Sequence, residues 1–212
     1  METLPIPEKD ALQASDALLA KLRARVQSAG GWLGFDDYMN GALYEPALGY
    51  YSGGSRRFGA EGDFVTAPEL TPLFGHCVAR AIEPWLSQTD SRIVEFGAGT
   101  GQLAAQVLNA LDRLGSAPSE YLIVELSAPL RSQQRHNLEL LAPGLAQRVR
   151  WLDGLPTVIE GVVLANELLD AMPVRLFEVN EGVIFEKGLI RGHGDAALAW
   201  QSRRADDQLQ RQ

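Results

Sequence analysis

The stretch 95–101 (EFGAGTG) is the part of this 212-residue sequence whose residue types and spacing most directly suggest chemistry. It lies between a short β-branched run and a stretch with helical periodicity. Glycines at such a junction let the backbone bend sharply and approach a ligand that a Cβ would exclude, and the N–H groups that begin the following helix point toward the same place. The stretch therefore predicts a loop that cradles a nucleotide-like ligand.

Two carboxylates follow the next two β-branched runs along the chain. Glu125 comes 24 residues after Gly101, and Asp153 precedes Gly154 at the end of a further run. A carboxylate at the end of a parallel strand can accept hydrogen bonds from both hydroxyls of a ribose. Asp153 could likewise meet the amino group of an adenine, although Asp-Gly is also a common turn. These segments together favour a nucleoside as the ligand.

Two further acidic stretches could act on a substrate. The stretch 166–173 (NELLDAMP) follows the fourth β-branched run and carries an amide and two carboxylates, while 62–69 (GDFVTAPE) carries two carboxylates and a hydroxyl. Open α/β sheets place substrate chemistry just outside the carboxyl ends of their strands. The alternative is that both stretches only form turns and cap helices, because Asp and Glu favour helix starts.

An N-terminal helical region precedes these stretches. Helices are predicted at 10–30, 35–44 and 72–86. Asp10 and Thr71 are the expected N-caps of the first and third helices. Between the second and third lies 45–70, which is dense in Gly, Ser and Pro. Loops longer than about 15 residues are uncommon in compact domains, so this segment is a functional candidate in its own right.

A parallel sheet with crossover helices should position the remaining residues. Its strands are predicted at 93–96, 121–125, 149–152 and 161–165. Helices at 102–114 and 128–141 should separate them, the second capped by Ser127. After Pro173 the pattern changes to that of an antiparallel hairpin with a turn at 180–182, and the polar tail from Ser202 is expected to fray.

Composition sets limits on the class of protein. With 46% hydrophobic and 22% charged residues the chain is an ordinary globular protein, and its net charge of −8 disfavours nucleic acid and anionic membranes as partners. The single cysteine, Cys77, cannot form an intrachain disulfide or a cysteine-based metal cage, so we expect a cytoplasmic location and no metal. Neither a signal peptide nor a membrane-spanning run is predicted. The oligomeric state stays open.

The ordered motifs carry a resemblance to a known family. A dinucleotide fingerprint would place Gly or Ala at position 102, where Gln102 stands. An acidic residue followed by Gly-x-Gly-x-Gly instead resembles the first motif of class I S-adenosylmethionine-dependent methyltransferases. Five stretches occur in the order typical of the MidA-like methyltransferases: 49–51 (GYY), 62–69, 95–101, 121–131 (YLIVELSAPLR) and 165–174 (ANELLDAMPV).

The resemblance implies a class I, Rossmann-like α/β fold with S-adenosyl-L-methionine as cofactor and, as in characterised family members, a protein arginine as acceptor. Carboxylates would hold the guanidinium and stand where its proton leaves. The residues expected to bind cofactor are Glu95, Gly97, Ala98, Gly99, Gly101, Glu125, Leu126, Asp153, Gly154, Asn166 and Thr66. The candidate catalytic residues are Glu167 first, then Asp170 and Glu69.

The resemblance also implies that the sheet is partial. A class I sheet continues beyond the strand order 3-2-1-4 that 92–165 supplies, which leaves the fourth strand as an open edge. We expect a fragment, or strands replaced by the hairpin or donated by another copy. Three parts are predicted: a helical region with its long loop (1–88), the nucleotide-binding half of the methyltransferase domain (89–173), and a hairpin with a frayed tail (174–212).

Two other functions remain open at this point. An NAD(P)-dependent oxidoreductase would use the same glycine loop and ribose carboxylate, and Gln102 counts against it. The other alternative is a non-catalytic assembly scaffold, or an incomplete fragment of a methyltransferase that binds cofactor poorly.

Overall fold

The computed structural model describes residues 7–52, 65–192 and 197–211. The predictions for Asp63 and for the rest of 53–64 within the loop 45–70 lie outside the described residues. Contacts divide the chain into two compact units. Met1–Ser55 with Ala171–Gln212 forms the first, which we call the antiparallel unit, and Arg56–Asp170 forms the second, which we call the parallel unit.

Both units are built from short elements. In chain order, the helices of the described residues are α1 (Lys9–Ser28), α2 (Phe35–Tyr44), α3 (Ala67–Leu70), α4 (Pro72–Leu86), α5 (Gln102–Arg113), α6 (Ala128–Leu141) and α7 (Asp207–Gln210). The strands are β1 (Leu33–Gly34), β2 (Arg92–Phe96), β3 (Glu120–Val124), β4 (Val149–Leu152), β5 (Val162–Ala165), β6 (Leu176–Asn180), β7 (Val183–Arg191) and β8 (Leu198–Arg204).

The parallel unit contains the predicted sheet. Its strand order is β4-β3-β2-β5, and all three pairings are parallel. Numbered from β2 as the first strand of this sheet, the order is 3-2-1-4, which confirms the prediction. The strands also end level with one another, because Phe96 pairs with Val124 and Ala165, and Val124 pairs with Leu152. The loops that follow the four strands therefore leave from the same edge.

Helices α4, α5 and α6 supply the core of this unit together with the sheet. Leu86, Leu108 and Leu138 pack in one cluster with Tyr121 from β3. Alanines on α5 allow close packing on both sides, and a Cβ at Gly75 of α4 would lie only 2.3 Å from the Cβ of Gln106. The close approach of α4 and α5 thus depends on the absence of a side chain at Gly75.

The helix starts follow the sequence signals with one exception. The side chain of Thr71 accepts a hydrogen bond from the backbone N–H of Leu73 at 3.2 Å, and that of Ser127 accepts one from Leu130 at 3.4 Å. Asp10, however, is not the N-cap of α1: the helix begins at Lys9, and Asp10 lies in its first turn. A carboxylate there still interacts favourably with the helix dipole.

The antiparallel unit confirms the hairpin and corrects the prediction for the tail. Strands β6 and β7 pair as predicted. The turn between them consists of Glu181 and Gly182, which both have positive φ angles (50° and 80°). The tail does not fray: β8 pairs with β7, and α7 follows with Leu209 buried and Asp206 as its N-cap. The polar side chains of β8 suggested disorder, but its order comes from the backbone ladder with β7.

The contacts also group the chain differently from the predicted boundaries at 88 and 173. Helix α4 belongs with the parallel sheet because it packs against α5, and the N-terminal segment through α2 belongs with the C-terminal strands, since β1 pairs with β7. Close packing of Gly188 against Trp32 accompanies that pairing. Among the described helices, none is long and apolar enough to cross a membrane.

Candidate functional site

The carboxyl edge of the parallel sheet brings the main predicted site residues together. Gly97 follows β2, Glu125 follows β3, Asp153 follows β4 and Asn166 follows β5. Since the four strands end level, these residues begin four neighbouring loops on one edge of the sheet. This is where open α/β sheets bind their ligands.

The glycine loop between β2 and α5 has a backbone that its glycines make possible. Gly97, Gly99 and Gly101 have φ angles of +64°, +54° and +83°, a region that residues with a Cβ rarely adopt. A Cβ on Gly99 would meet no described atom within 4 Å, whereas one on Gly101 would lie 3.3 Å from Gln134 Cα. The loop therefore packs tightly on one side and leaves space at Gly99. Ala98 and Thr100, which alternate with these glycines in the loop, are buried.

Helix α3 is fixed beside this loop by two side chains. The hydroxyl of Thr100 donates a hydrogen bond to the Glu69 carboxylate. Gln106 donates to the carbonyl of Pro68 at 2.7 Å, which holds the same helix against α5. Thr66 occupies the N-cap position of the same helix. Glu69 thus has a partner in the glycine loop, and its catalytic role stays a prediction.

The Glu125 carboxylate is held by two donors. Its Oε1 accepts from the backbone N–H of Ser127 at 2.8 Å, and its Oε2 accepts from the Gln134 amide at 3.2 Å. A carboxylate has about four lone-pair sites, so both oxygens retain capacity for a ligand. The side chain of Leu126, directly after it, is 78% exposed and offers an apolar surface beside the carboxylate.

Asp153 is joined to Glu125 through Arg131. The Arg131 guanidinium donates to the carbonyls of Glu125 and Leu152, both at 2.6 Å, and pairs with the Asp153 carboxylate at 2.8 Å. One side chain from α6 thus links the ends of β3 and β4. The Asp153 side chain remains open to solvent, as does neighbouring Gly154.

Glu95 is the predicted cofactor-binding residue whose position departs most from expectation. It is 1% exposed, and its Oε2 accepts a hydrogen bond from the Tyr121 hydroxyl at 2.8 Å. Burial raises the pKa of Glu95 to about 7, although the hydrogen bond from Tyr121 acts in the opposite direction. The register of β2 and β3 puts both side chains on the face of the sheet that also carries Ile93. Glu95 therefore points into the core with Tyr121 as its partner, and cofactor contact by this side chain stays a prediction.

The segment after β5 presents two exposed carboxylates. Glu167 has a φ of +53°, uncommon for a residue with a side chain, so the chain turns sharply there. Leu168 lies against the glycine loop, since a Cβ on Gly97 would be 3.1 Å from its Cδ1. Glu167 and Asp170 are both exposed, and half-buried Asn166 precedes them. Both lie just after the end of β5, and contact with a substrate stays a prediction.

Sequence reasoning missed the polar side chains of α6. Gln134 is fully buried and reaches the glycine loop by donating to the Gly99 carbonyl at 2.9 Å, and Asn137 donates to the Thr100 carbonyl at 2.9 Å. The available sequence signal was the position of this glutamine four residues before Leu138, on the same face of α6. Buried polar groups need partners, and here the partners are segments of the site.

An α/β sheet with an open glycine loop and acidic strand ends defines a nucleoside-binding protein of the class I methyltransferase type. Residues 77–211 match the family described as "Putative S-adenosyl-L-methionine-dependent methyltransferase". The match covers more than half of the chain, which belongs to this family. The comparison confirms the sequence resemblance and the fold class, and it does not favour the oxidoreductase alternative.

Individual relatives agree with this assignment. A crystal structure from Burkholderia thailandensis, described as a "likely methyl transferase" bound to S-adenosyl-homocysteine, is 50% identical with a TM-score of 0.87; the match covers 96% of this chain and 54% of that one. The protein arginine methyltransferase NDUFAF7 homolog, mitochondrial, of Caenorhabditis elegans is 31% identical over 164 residues, covering 66% of this chain and 38% of that protein. The Mus musculus protein arginine methyltransferase NDUFAF7, mitochondrial, is 30% identical over 187 residues, covering 76% and 42%. The chain spans less than half the length of these two relatives.

Proposed function

We propose that this protein transfers methyl groups from S-adenosyl-L-methionine to arginine side chains of proteins. The observation that carries the proposal is that strands β2 and β3 end level with each other. The glycine loop, with open space at Gly99, and the loop that begins with Glu125 therefore start side by side. Family membership and the similar chain bound to S-adenosyl-homocysteine support the cofactor class. The acceptor is supported by the names of the two NDUFAF7 relatives.

The residues at this edge fit the cofactor. A cradle at Gly99 that a Cβ would fill accommodates a ligand close to the backbone, and the remaining lone pairs of Glu125 suit the two hydroxyls of a ribose. The exposed Leu126 side chain and the Asp153 carboxylate suit the face and amino group of an adenine. Asn166 and Thr66 complete the proposed set, with the backbone at Gly97 and Gly101.

When bound, the cofactor supplies an electrophilic methyl group on a sulfonium. The chain's own residues have to hold the acceptor nitrogen in line and take its proton. A guanidinium is protonated in water, so a carboxylate that forms hydrogen bonds with it both orients it and lowers the cost of proton loss. We assign these roles to Glu167 and, secondarily, to Asp170.

The charge of the chain suits a cationic acceptor. The net charge is −8, and Glu167, Asp170 and Asp153 expose carboxylates in the same unit. Such a field raises the local concentration of arginine-rich segments and repels acidic ones, an effect that weakens with ionic strength. The cytoplasmic location expected from the single cysteine stays a prediction, and the names of the two curated relatives say mitochondrial.

Calorimetric titration of the 212-residue chain with S-adenosyl-homocysteine tests the cofactor part of the proposal. Gly99→Val should abolish the heat of binding because its side chain occupies the open side of the loop. Gly115→Val is a matched control: this glycine also has a positive φ, +74°, and open space around its Cβ position, but it lies beyond the far end of α5. Both variants carry similar backbone strain, so equal losses of binding would contradict the proposed cradle.

Incubation with a labelled methyl donor and matched peptides tests the acceptor. Peptides with arginine should be labelled and the same peptides with lysine should not, and hydrolysis should release methylarginine. Label on another side chain would overturn the arginine assignment while leaving methyl transfer intact. Binding of S-adenosyl-homocysteine without labelling of any protein in a lysate would instead favour the scaffold alternative.

A further inference from the structure

Gln134 connects three segments of the candidate site through one amide group. Its Nε2 donates to the Gly99 carbonyl at 2.9 Å and to Glu125 Oε2 at 3.2 Å, and its Oε1 accepts from the Trp151 indole N–H at 2.7 Å. The side chain is 0% exposed. A single residue of α6 therefore joins the glycine loop, the Glu125 carboxylate and strand β4.

The chemistry of the partners leaves the amide only one orientation. The Trp151 indole can only donate, so the oxygen of Gln134 must face it. The Gly99 carbonyl and the Glu125 carboxylate can only accept, so the nitrogen must face them, and each of its two hydrogens has a partner. A flipped amide would lose all three hydrogen bonds within a buried site.

This fixed amide determines the orientation of the Glu125 carboxylate. The terminal torsion of a glutamate is broad, so an isolated carboxylate rotates freely. Here Ser127 holds Oε1 and Gln134 holds Oε2, and the same Gln134 nitrogen holds Gly99. The remaining lone pairs of Glu125 are thereby set at a constant orientation relative to the open side of the glycine loop.

We propose that Gln134 is a positioning residue for ribose recognition, which acts by orienting the Glu125 carboxylate relative to Gly99. The inference rests on the proposed function, because it takes the ribose of that cofactor as the ligand of Glu125. Gln134 itself contacts no ligand in this scheme. Its removal should weaken selection for the ribose hydroxyls, not binding in general.

Titration with S-adenosyl-homocysteine and with its 2′-deoxy analogue separates these two effects. The unaltered chain should bind the 2′-deoxy analogue about tenfold or more weakly, as expected for loss of a hydrogen bond to a charged acceptor. In Gln134→Met, which keeps the side-chain length but not the amide, the ratio of the two dissociation constants should fall to about two or less. Gln133→Met is the matched control, because Gln133 is an exposed neighbour on the same helix, and it should keep the full ratio.

A double-mutant cycle with Glu125→Gln tests whether Gln134 acts through the carboxylate. In the Glu125→Gln background, Gln134→Met should cause no further loss of the ratio. Trp151→Phe provides a second, milder variant should Gln134→Met not fold: it removes only the donor that orients the amide, and it should lower the ratio in the same direction by about twofold to fivefold.

Each outcome decides between roles. If Gln134→Met or Trp151→Phe weakens both ligands by the same factor, Gln134 is merely structural and the inference is wrong. An unchanged ratio in both variants also overturns it. Failure of the unaltered chain to bind S-adenosyl-homocysteine at all would instead reject the proposed function, so the two failures are distinguishable.

Discussion

Buried acidic side chains have different partners in the two compact units. In the antiparallel unit, Glu45 is 8% exposed and pairs with Lys21, at 2.6 Å, and with Arg25. The hydrogen bond and charge of Lys21 lower the pKa of Glu45. Glu186, 4% exposed, pairs with Arg175 at 2.6 Å. In both cases cations compensate the buried carboxylate for the lost water.

The parallel unit leaves some of its acidic residues without that compensation, although arginines pair with Glu120 and Asp153. Glu95 is the most buried of them, and its hydrogen-bond partner is the neutral hydroxyl of Tyr121. Among the described residues of this unit, the ion pairs involve Glu120 and Asp153, and none joins Glu167 or Asp170. The buried carboxylates of the antiparallel unit thus have cationic partners, whereas Glu95, Glu167 and Asp170 of the parallel unit have none. Three predictions test this difference.

The largest effect is expected at Glu167. Glu167→Gln keeps the shape of the side chain but removes the charge, so the rate of arginine methylation at saturating peptide should fall about 100-fold or more. Binding of S-adenosyl-homocysteine should not change. Initial rates with labelled donor measure the first quantity, and calorimetry measures the second.

Glu160→Gln serves as the control for this prediction. Glu160 is an exposed carboxylate of the same unit in the loop before β5. Its replacement should leave the rate within about twofold. Equal rates for Glu167→Gln and the unaltered chain would remove Glu167 from the proposed machinery and leave Asp170 as the candidate.

The second prediction concerns the paired carboxylate Glu186. Arg175→Met removes its closest cation and leaves Arg203 at 3.4 Å, so the folded state should lose about 3 kcal/mol in denaturant unfolding. Lys187→Met removes an exposed pair with Glu178 on the same strand pair and should change the midpoint far less. A small effect for both variants would show that the cations of this unit are not needed to bury its carboxylates.

The sequence was sufficient to predict the strand ends that carry the candidate site residues, but not the direction of every side chain there. Alternation of β-branched runs with helices predicted the four strands, and parallel strands necessarily bring Glu125 and Asp153 to one edge. The direction of Glu95 was missed because motif spacing says which residue precedes the loop, whereas its side chain follows the alternation of β2 into the core.

Long-range partners explain the other differences. A buried glutamine on α6 gives no local hint of its three partners, which come from segments up to 35 residues away in the chain. The order of β8 likewise depends on pairing with β7 and not on its own polar residues. Local patterns predict elements, while such contacts depend on the assembled fold.

The smallest effect is expected for Glu95, the buried carboxylate without a cationic partner, and the size of this effect depends on pH. Between pH 4.5, the usual pKa, and about 7, the pKa in the folded protein, Glu95 is protonated when folded but ionised when unfolded. The folded state then binds more protons, so the free energy of unfolding falls as pH rises through this window and stays reduced above pH 7. Stability from this group is fully present only below pH 4.5.

Glu95→Gln should therefore stabilise the chain at pH 8 by about 2 kcal/mol and have little effect at pH 5. The amide can still accept from Tyr121, and the partial cost of its unpaired N–H groups reduces the gain. Urea unfolding at the two pH values measures the difference, with Glu139→Gln on the exposed face of α6 as the control. A variant less stable than the unaltered chain at pH 8 would mean that Glu95 is ionised and compensated after all, and the contrast between the two units would then disappear.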